Sequence, residues 1–115
     1  MYKEIVQVKS FDEIEAILFK HADDYYFIDH EIKSAEHKNI VKSLGARYLI
    51  KKSILDFLQL EDEFSDIEIE NEDSGKPVVR YDGRVKEKLE ERGVNNIQVS
   101  ISHSRNYVTT LVVIE

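Results

Sequence analysis

The chain predicts an α+β domain, an antiparallel sheet with helices packed on one side, in the order β-ααα-ββ-α-ββ. Three observations carry that expectation. Strand-period alternation occurs near both ends and again between residues 67 and 81. Apolar residues recur at helical spacing through 39–59, and Gly, Pro and Asp punctuate the segments between. A length of 115 residues suits one domain, spanning 1–115, and 42% hydrophobic residues can fill one core.

Ile5, Val6 and Val8 predict an opening strand over 2–8. Ser10, with Glu13 three residues on, forms a capping box for a helix over 11–21, whose apolar face is Phe11, Ile14, Ile17 and Leu18. Tyr25-Tyr26-Phe27-Ile28 reads either as a short strand or as the approach to a helix capped by Asp29 and running from His30 to Asn39. Residues 39–59 carry the strongest helical stripe: Val41, Leu44, Tyr48, Leu55 and Leu58, broadened by Ile40, Ile54 and Phe57. Gly45 within it costs about 1 kcal/mol against alanine, which points to close packing there.

Ile67 and Ile69 alternate with acids, the pattern of a strand with one wet face. Ser74-Gly75 turns the chain and Pro77 opens the next strand, a position that tolerates its missing N–H. Val85, Leu89 and the Gly93 stop mark a short helix before a closing hairpin over 96–114. In that hairpin Gln98, Ser100 and Ser102 occupy one face and Ile97, Val99 and Ile101 the other. The polar row leads to His103 and Arg105, and such an edge can hold a phosphate.

Composition excludes several classes. No Cys means no disulfide framework, thiolate nucleophile or Cys-rich zinc site. A net charge of −7 argues against a general nucleic-acid binder. The start lacks the apolar run of a signal peptide and no later stretch approaches membrane-spanning length, so a soluble cytoplasmic protein is expected. Six bases against two acids fall within 33–56, centred on Lys42, Arg47, Lys51 and Lys52. That run reads as a solvated face or as a contact for an acidic partner or a polyphosphate. His21, His30, His37 and His103 lack metal-ligand spacing. His30 and His37 could share a helix face, but no third ligand is evident.

Three segments resemble the 4′-phosphopantetheinyl transferases, specifically the short holo-acyl-carrier-protein synthases. Ala46-Arg47-Tyr48-Leu49-Ile50-Lys51-Lys52-Ser53 is similar to the family helix A-R/K-F/W-x-x-K-E-A. Gly75-Lys76-Pro77 matches its G-K-P turn, and Ser100-Ile101-Ser102-His103 its S-I/L-S-H strand end. The opening is laid over G-x-D-I-V-E-I with Glu4 at the aspartate and Gln7 at the following glutamate.

The resemblance implies transfer of the phosphopantetheine arm of coenzyme A to a serine of an acyl carrier protein, in fatty-acid or polyketide assembly. It also implies Mg²⁺ as cofactor and a homotrimer with sites between subunits, while charge and hydropathy lead to neither nucleic acid nor membrane as an expected partner. Lys51, Gly75, Lys76, Pro77, Ser102 and His103 would hold the coenzyme, and Glu4 would be the surviving metal ligand. Lys52 replaces the glutamate of K-E-A, and Asp56 replaces a lysine one turn later. An ammonium repels a divalent ion rather than ligating it.

Lys52 with Glu4 is the candidate catalytic pair, and three readings of Lys52 stand open. It pairs with Asp56 on the helix surface, or with Glu4 where the metal would lie, or its ammonium takes the metal's place at the pyrophosphate. Lys51 either snorkels to the rim of the core or contacts phosphate. Lys76 lies in a simple hairpin turn, or touches phosphate or carrier. A Ser102–His103 nucleophile–base pair is disfavoured, because strand neighbours face opposite ways. The alternatives to an enzyme are a homologue that binds coenzyme A, a carrier or an active partner without transfer, and an unrelated α+β interaction domain.

Overall fold

Alternation along β1 (Lys3–Ser10) leaves Ile5 and Gln7 half-buried and Glu4, Val6 and Val8 exposed. The computed structural model, which describes residues 2–20, 23–35 and 40–115, pairs this strand antiparallel with β5 (Tyr107–Ile114). On its other side β5 pairs with β4 (Ile97–His103), so β5 is central. Its inward row of Val108, Thr110, Val112 and Ile114 is fully buried. β2 (Ile67–Asn71) and β3 (Pro77–Tyr81) form a separate two-stranded sheet, so the antiparallel strands divide between two sheets. β3 packs beside β4 without a ladder between them.

The Ser10 capping box forms as the sequence requires: the Glu13 amide donates to Ser10 Oγ at 3.1 Å and the Ser10 amide to Glu13 Oε1 at 3.3 Å. It starts α1 (Phe11–Leu18), which ends about a turn before the expected limit. Among the described residues four α-helices, not three, precede β2. The aromatic run of residues 25–28 does not become a strand. Tyr26 closes the short α2 (Asp23–Tyr26), and α3 (Asp29–Ala35) follows. Packing decides this, since Tyr26 sets its ring edge-on to Tyr48 and Phe64, each at 5.1 Å between centroids. The predicted extension toward Asn39 lies outside the described residues.

The long helix α4 (Ile40–Leu58) runs through the interior. Its stripe widens to nearly the whole circumference, with every residue from Leu44 to Lys51 buried. α4 lies against β5, with α1, α3 and α5 (Gly83–Glu91) on its other sides. Gly45 explains the approach of α1: a Cβ there would stand 2.7 Å from Ile14 Cγ2. The outer face of the three-stranded sheet carries exposed apolar side chains, including Val6 at 61% and Val8 at 55%. Among the described residues no helix is long and apolar enough to cross a membrane.

Candidate functional site

Burial forces the basic residues of α4 into separate roles. Lys51 is fully enclosed and pairs with the equally enclosed Glu31 of α3. Its ammonium also donates to the carbonyls of Tyr26 at 2.9 Å and Phe64 at 3.3 Å. Glu31 Oε1 accepts the Ile28 amide at 3.1 Å, and Oε2 the Ile69 amide at 2.9 Å. One carboxylate thus fixes the start of α3 and the middle of β2. Burial lowers the Lys51 pKa, with Glu31 opposing.

Arg47, also buried, donates to the Glu31 carbonyl at 3.3 Å and to Ser43 Oγ at 3.2 Å. Lys42 places its ammonium 5.6 Å from the Phe11 ring centre. The basic run is therefore not one solvated face.

A groove of about 270 Å³ opens where the first half of α4 meets the end of β4. Lys42, Ser43, Ala46 and Arg47 form its helical wall, at the i, i+4 spacing that puts them on one face. Ile101 and His103 supply the strand wall, and Asn71, which leads into the Gly75-Lys76-Pro77 turn, closes one end. His103 Nε2 lies 3.5 Å from the Lys42 carbonyl. The groove offers a cationic guanidinium, an imidazole and polar side chains beside the apolar Ala46 and Ile101.

The candidate residues divide around this groove. His103 lines it, while Ser102, its strand neighbour, projects from the opposite face of β4, so the polar row does not continue into the imidazole. Lys76 stands exposed on the turn without an ion-pair partner among the described residues. Gly75 holds φ at +89°, a conformation that favours glycine, and Pro77 starts β3. Lys51 requires correction as a coenzyme contact, because its ammonium is consumed inside the core. Sequence reasoning placed Lys42 and Arg47 in a basic run open to a polyphosphate, and missed Ser43 and Asn71 as groove residues. The i, i+4 relation to Arg47 was available for Ser43, and no local signal marks Asn71.

The pairing of Glu4 with Lys52 is likewise corrected. Lys52 Nζ bonds Asp56 Oδ1 at 2.9 Å across one helical turn, with 40% and 53% of the two side chains exposed. That bond is the first cause of its raised pKa. Glu4 points to the outer face of β1, where the Tyr2 hydroxyl donates to it at 2.6 Å. Gln7, on the inward face, lines a larger hollow of about 540 Å³ with Lys3, Ile5, Ser53, Asp56 and Arg92. The turn at 75–77 and the end of β4 do not reach that hollow. Neither Glu4 nor Lys52 fits a shared Mg²⁺ site: one faces away from α4 and the other is a cation.

No protein-family model matches the chain. A holo-acyl-carrier-protein synthase of Syntrophus aciditrophicus is 31% identical over 96% of this chain and 92% of the relative. One from Leptospira biflexa is 30% identical over 89% and 87%. The Helicobacter pylori holo-acyl-carrier-protein synthase, solved in complex with coenzyme A, superposes with a TM-score of 0.78 at 22% identity, covering 98% of this chain and all of that one. The fold likeness extends across β1 to β5, and the sequence likeness to the bacterial relatives is nearly as long. The chain belongs to the holo-acyl-carrier-protein synthases.

Proposed function

We propose that this protein transfers the phosphopantetheine arm of coenzyme A to a serine of an acyl carrier protein. The groove between α4 and β4 carries the reading, because there α4 and β4 meet beside the β2–β3 turn, the three segments that resemble the family's motifs. In the reaction the serine oxygen forms a new P–O bond and one P–O bond of the pyrophosphate breaks. Adenosine 3′,5′-bisphosphate leaves, and the serine proton must be lost.

Positioning and charge neutralisation are the main demands on the protein. Arg47 and Lys42 supply positive charge along the helical wall, His103 a nitrogen at the strand end, and Lys76 an exposed ammonium on the turn. The ordinary Mg²⁺ ligands are not reproduced, so no step is assigned to the metal. The acidic balance of the chain leaves these cations as the local attractive field for a polyphosphate.

The outer sheet face supports a homotrimer with sites shared between subunits. Val6, Val8, Leu111 and Val113 lie in adjacent register there, flanked by Tyr2 and Tyr107 at 63% and 49% exposure. Such an apolar surface on a small protein calls for a partner, and Glu4 and Ser102 would then lie at or near the seam. The reading places the protein in the cytoplasm, where coenzyme A and carrier proteins meet.

Transfer is tested by incubating the protein with coenzyme A and the organism's own apo-carriers, with and without Mg²⁺, and weighing the intact carriers. A gain of one phosphopantetheine arm is expected. No gain on any carrier under either condition overturns the proposal.

A further inference from the structure

A second cluster of ligating atoms lies outside the groove, between α3 and β2. His30, Glu68 and Glu70 each offer one atom, all within 4.8 Å of one another. His30 Nδ1 is 2.8 Å from Glu68 Oε2 and 3.8 Å from Glu70 Oε1. Donors on one zinc ion, at about 2.0–2.2 Å from it, stand about 3.4 Å apart in a tetrahedron. The two observed separations bracket that value.

The scaffold is rigid where the donors are exposed. Glu31 follows His30 directly, is buried, and accepts the amide of Ile69, the residue between Glu68 and Glu70. Strand alternation turns both glutamates to the same face, away from buried Ile67 and Ile69. Arg80 engages only Glu70 Oε2, at 2.8 Å, which leaves Oε1 for another partner. His30, with 64% of its side chain exposed, leaves open coordination positions for water.

We propose that His30, Glu68 and Glu70 form a divalent transition-metal site of mixed nitrogen and oxygen donors, suited to Zn²⁺. It ties α3 to the β2–β3 hairpin, whose turn bears Lys76. The mixed donor set suits zinc better than magnesium, which favours an all-oxygen octahedron.

The test is calorimetric titration of the full chain with Zn²⁺ alone in a non-chelating buffer, paired with thermal unfolding. One zinc per chain and a zinc-dependent rise in Tm are expected. H30A and E70Q should each weaken binding by about tenfold or more and abolish the rise in Tm. The metal-free Tm of H30A should stay near the parent's, because His30 is exposed. Undiminished binding by H30A, or no binding and no Tm shift at millimolar zinc, overturns the proposal. Neither readout involves transfer activity, so failure here is distinguishable from failure of the transferase reading.

Discussion

Lys51 meets Glu31 with neither side chain reaching solvent. The carboxylate simultaneously accepts amides from Ile28 and Ile69, while the ammonium donates to two further carbonyls. A buried pair completed in this way joins α3, α4 and β2 through one polar knot. Removing only the ammonium leaves a buried charge without its counterion, the costly half of such an exchange.

K51M should therefore lose about 3–5 kcal/mol of stability, read from urea unfolding. Folded K51M should bind coenzyme A like the parent, since the ammonium has no path to the groove. Selective loss of coenzyme affinity in a protein of unchanged stability would contradict the internal role.

His103 and Ser102 provide a sharper division, because adjacent side chains on β4 face opposite ways. H103A should weaken coenzyme A binding by about 1–1.5 kcal/mol, roughly tenfold in Kd, as expected for one lost polar contact. S102A should leave Kd close to the parent at concentrations where the chain is monomeric, and alter it only when subunits associate. Equal effects of both substitutions in the monomer would place the ligand elsewhere.

Much of this arrangement was legible in the sequence, for reasons that are local. Ser10 and Glu13 are three residues apart, so their reciprocal cap follows from spacing alone. The two faces of β4 follow from strict alternation. Long-range partners left no such trace. Glu31 lies 20 residues from Lys51, and nothing near either announces the other. His30 likewise finds Glu68 across 38 residues, so histidine spacing gave no hint of a metal cluster. The family motif led Lys51 toward phosphate, but the local demand of a buried carboxylate won. For Lys52, the nearest opposite charge on its own helix, Asp56, prevailed over a distant strand.

Gly45 was expected to mark a close approach, and Ile14 of α1 is what it meets. G45A gains about 1 kcal/mol of helix propensity but must displace a branched side chain in the core. A net loss of about 1–2 kcal/mol is expected, seen as a lower denaturation midpoint with an unchanged m-value. A stabilised G45A would show that α1 shifts freely over α4.

Tyr25 links α2 to the loop after α4 through its hydroxyl, which donates to Asp62 Oδ1 at 2.6 Å. That bond is the first cause of a phenol pKa raised from the ordinary 10.0 to about 12, with desolvation and the Asp62 charge adding to it. The folded phenol thus keeps its proton at higher pH than the unfolded chain does. Its contribution to stability is fully present below pH 10 and fades as the pH rises from there toward about 12. Tyr2, Tyr26 and Tyr48 also ionise late, the first beside Glu4 and the other two through burial, so the Tyr25 phenol is read as the difference between parent and Y25F titrations, a component centred near pH 12. Y25F should also flatten the fall in stability over that interval while leaving neutral-pH coenzyme binding intact. A lost component that titrates at the ordinary phenol value of 10.0 would remove the Asp62 bond as the cause.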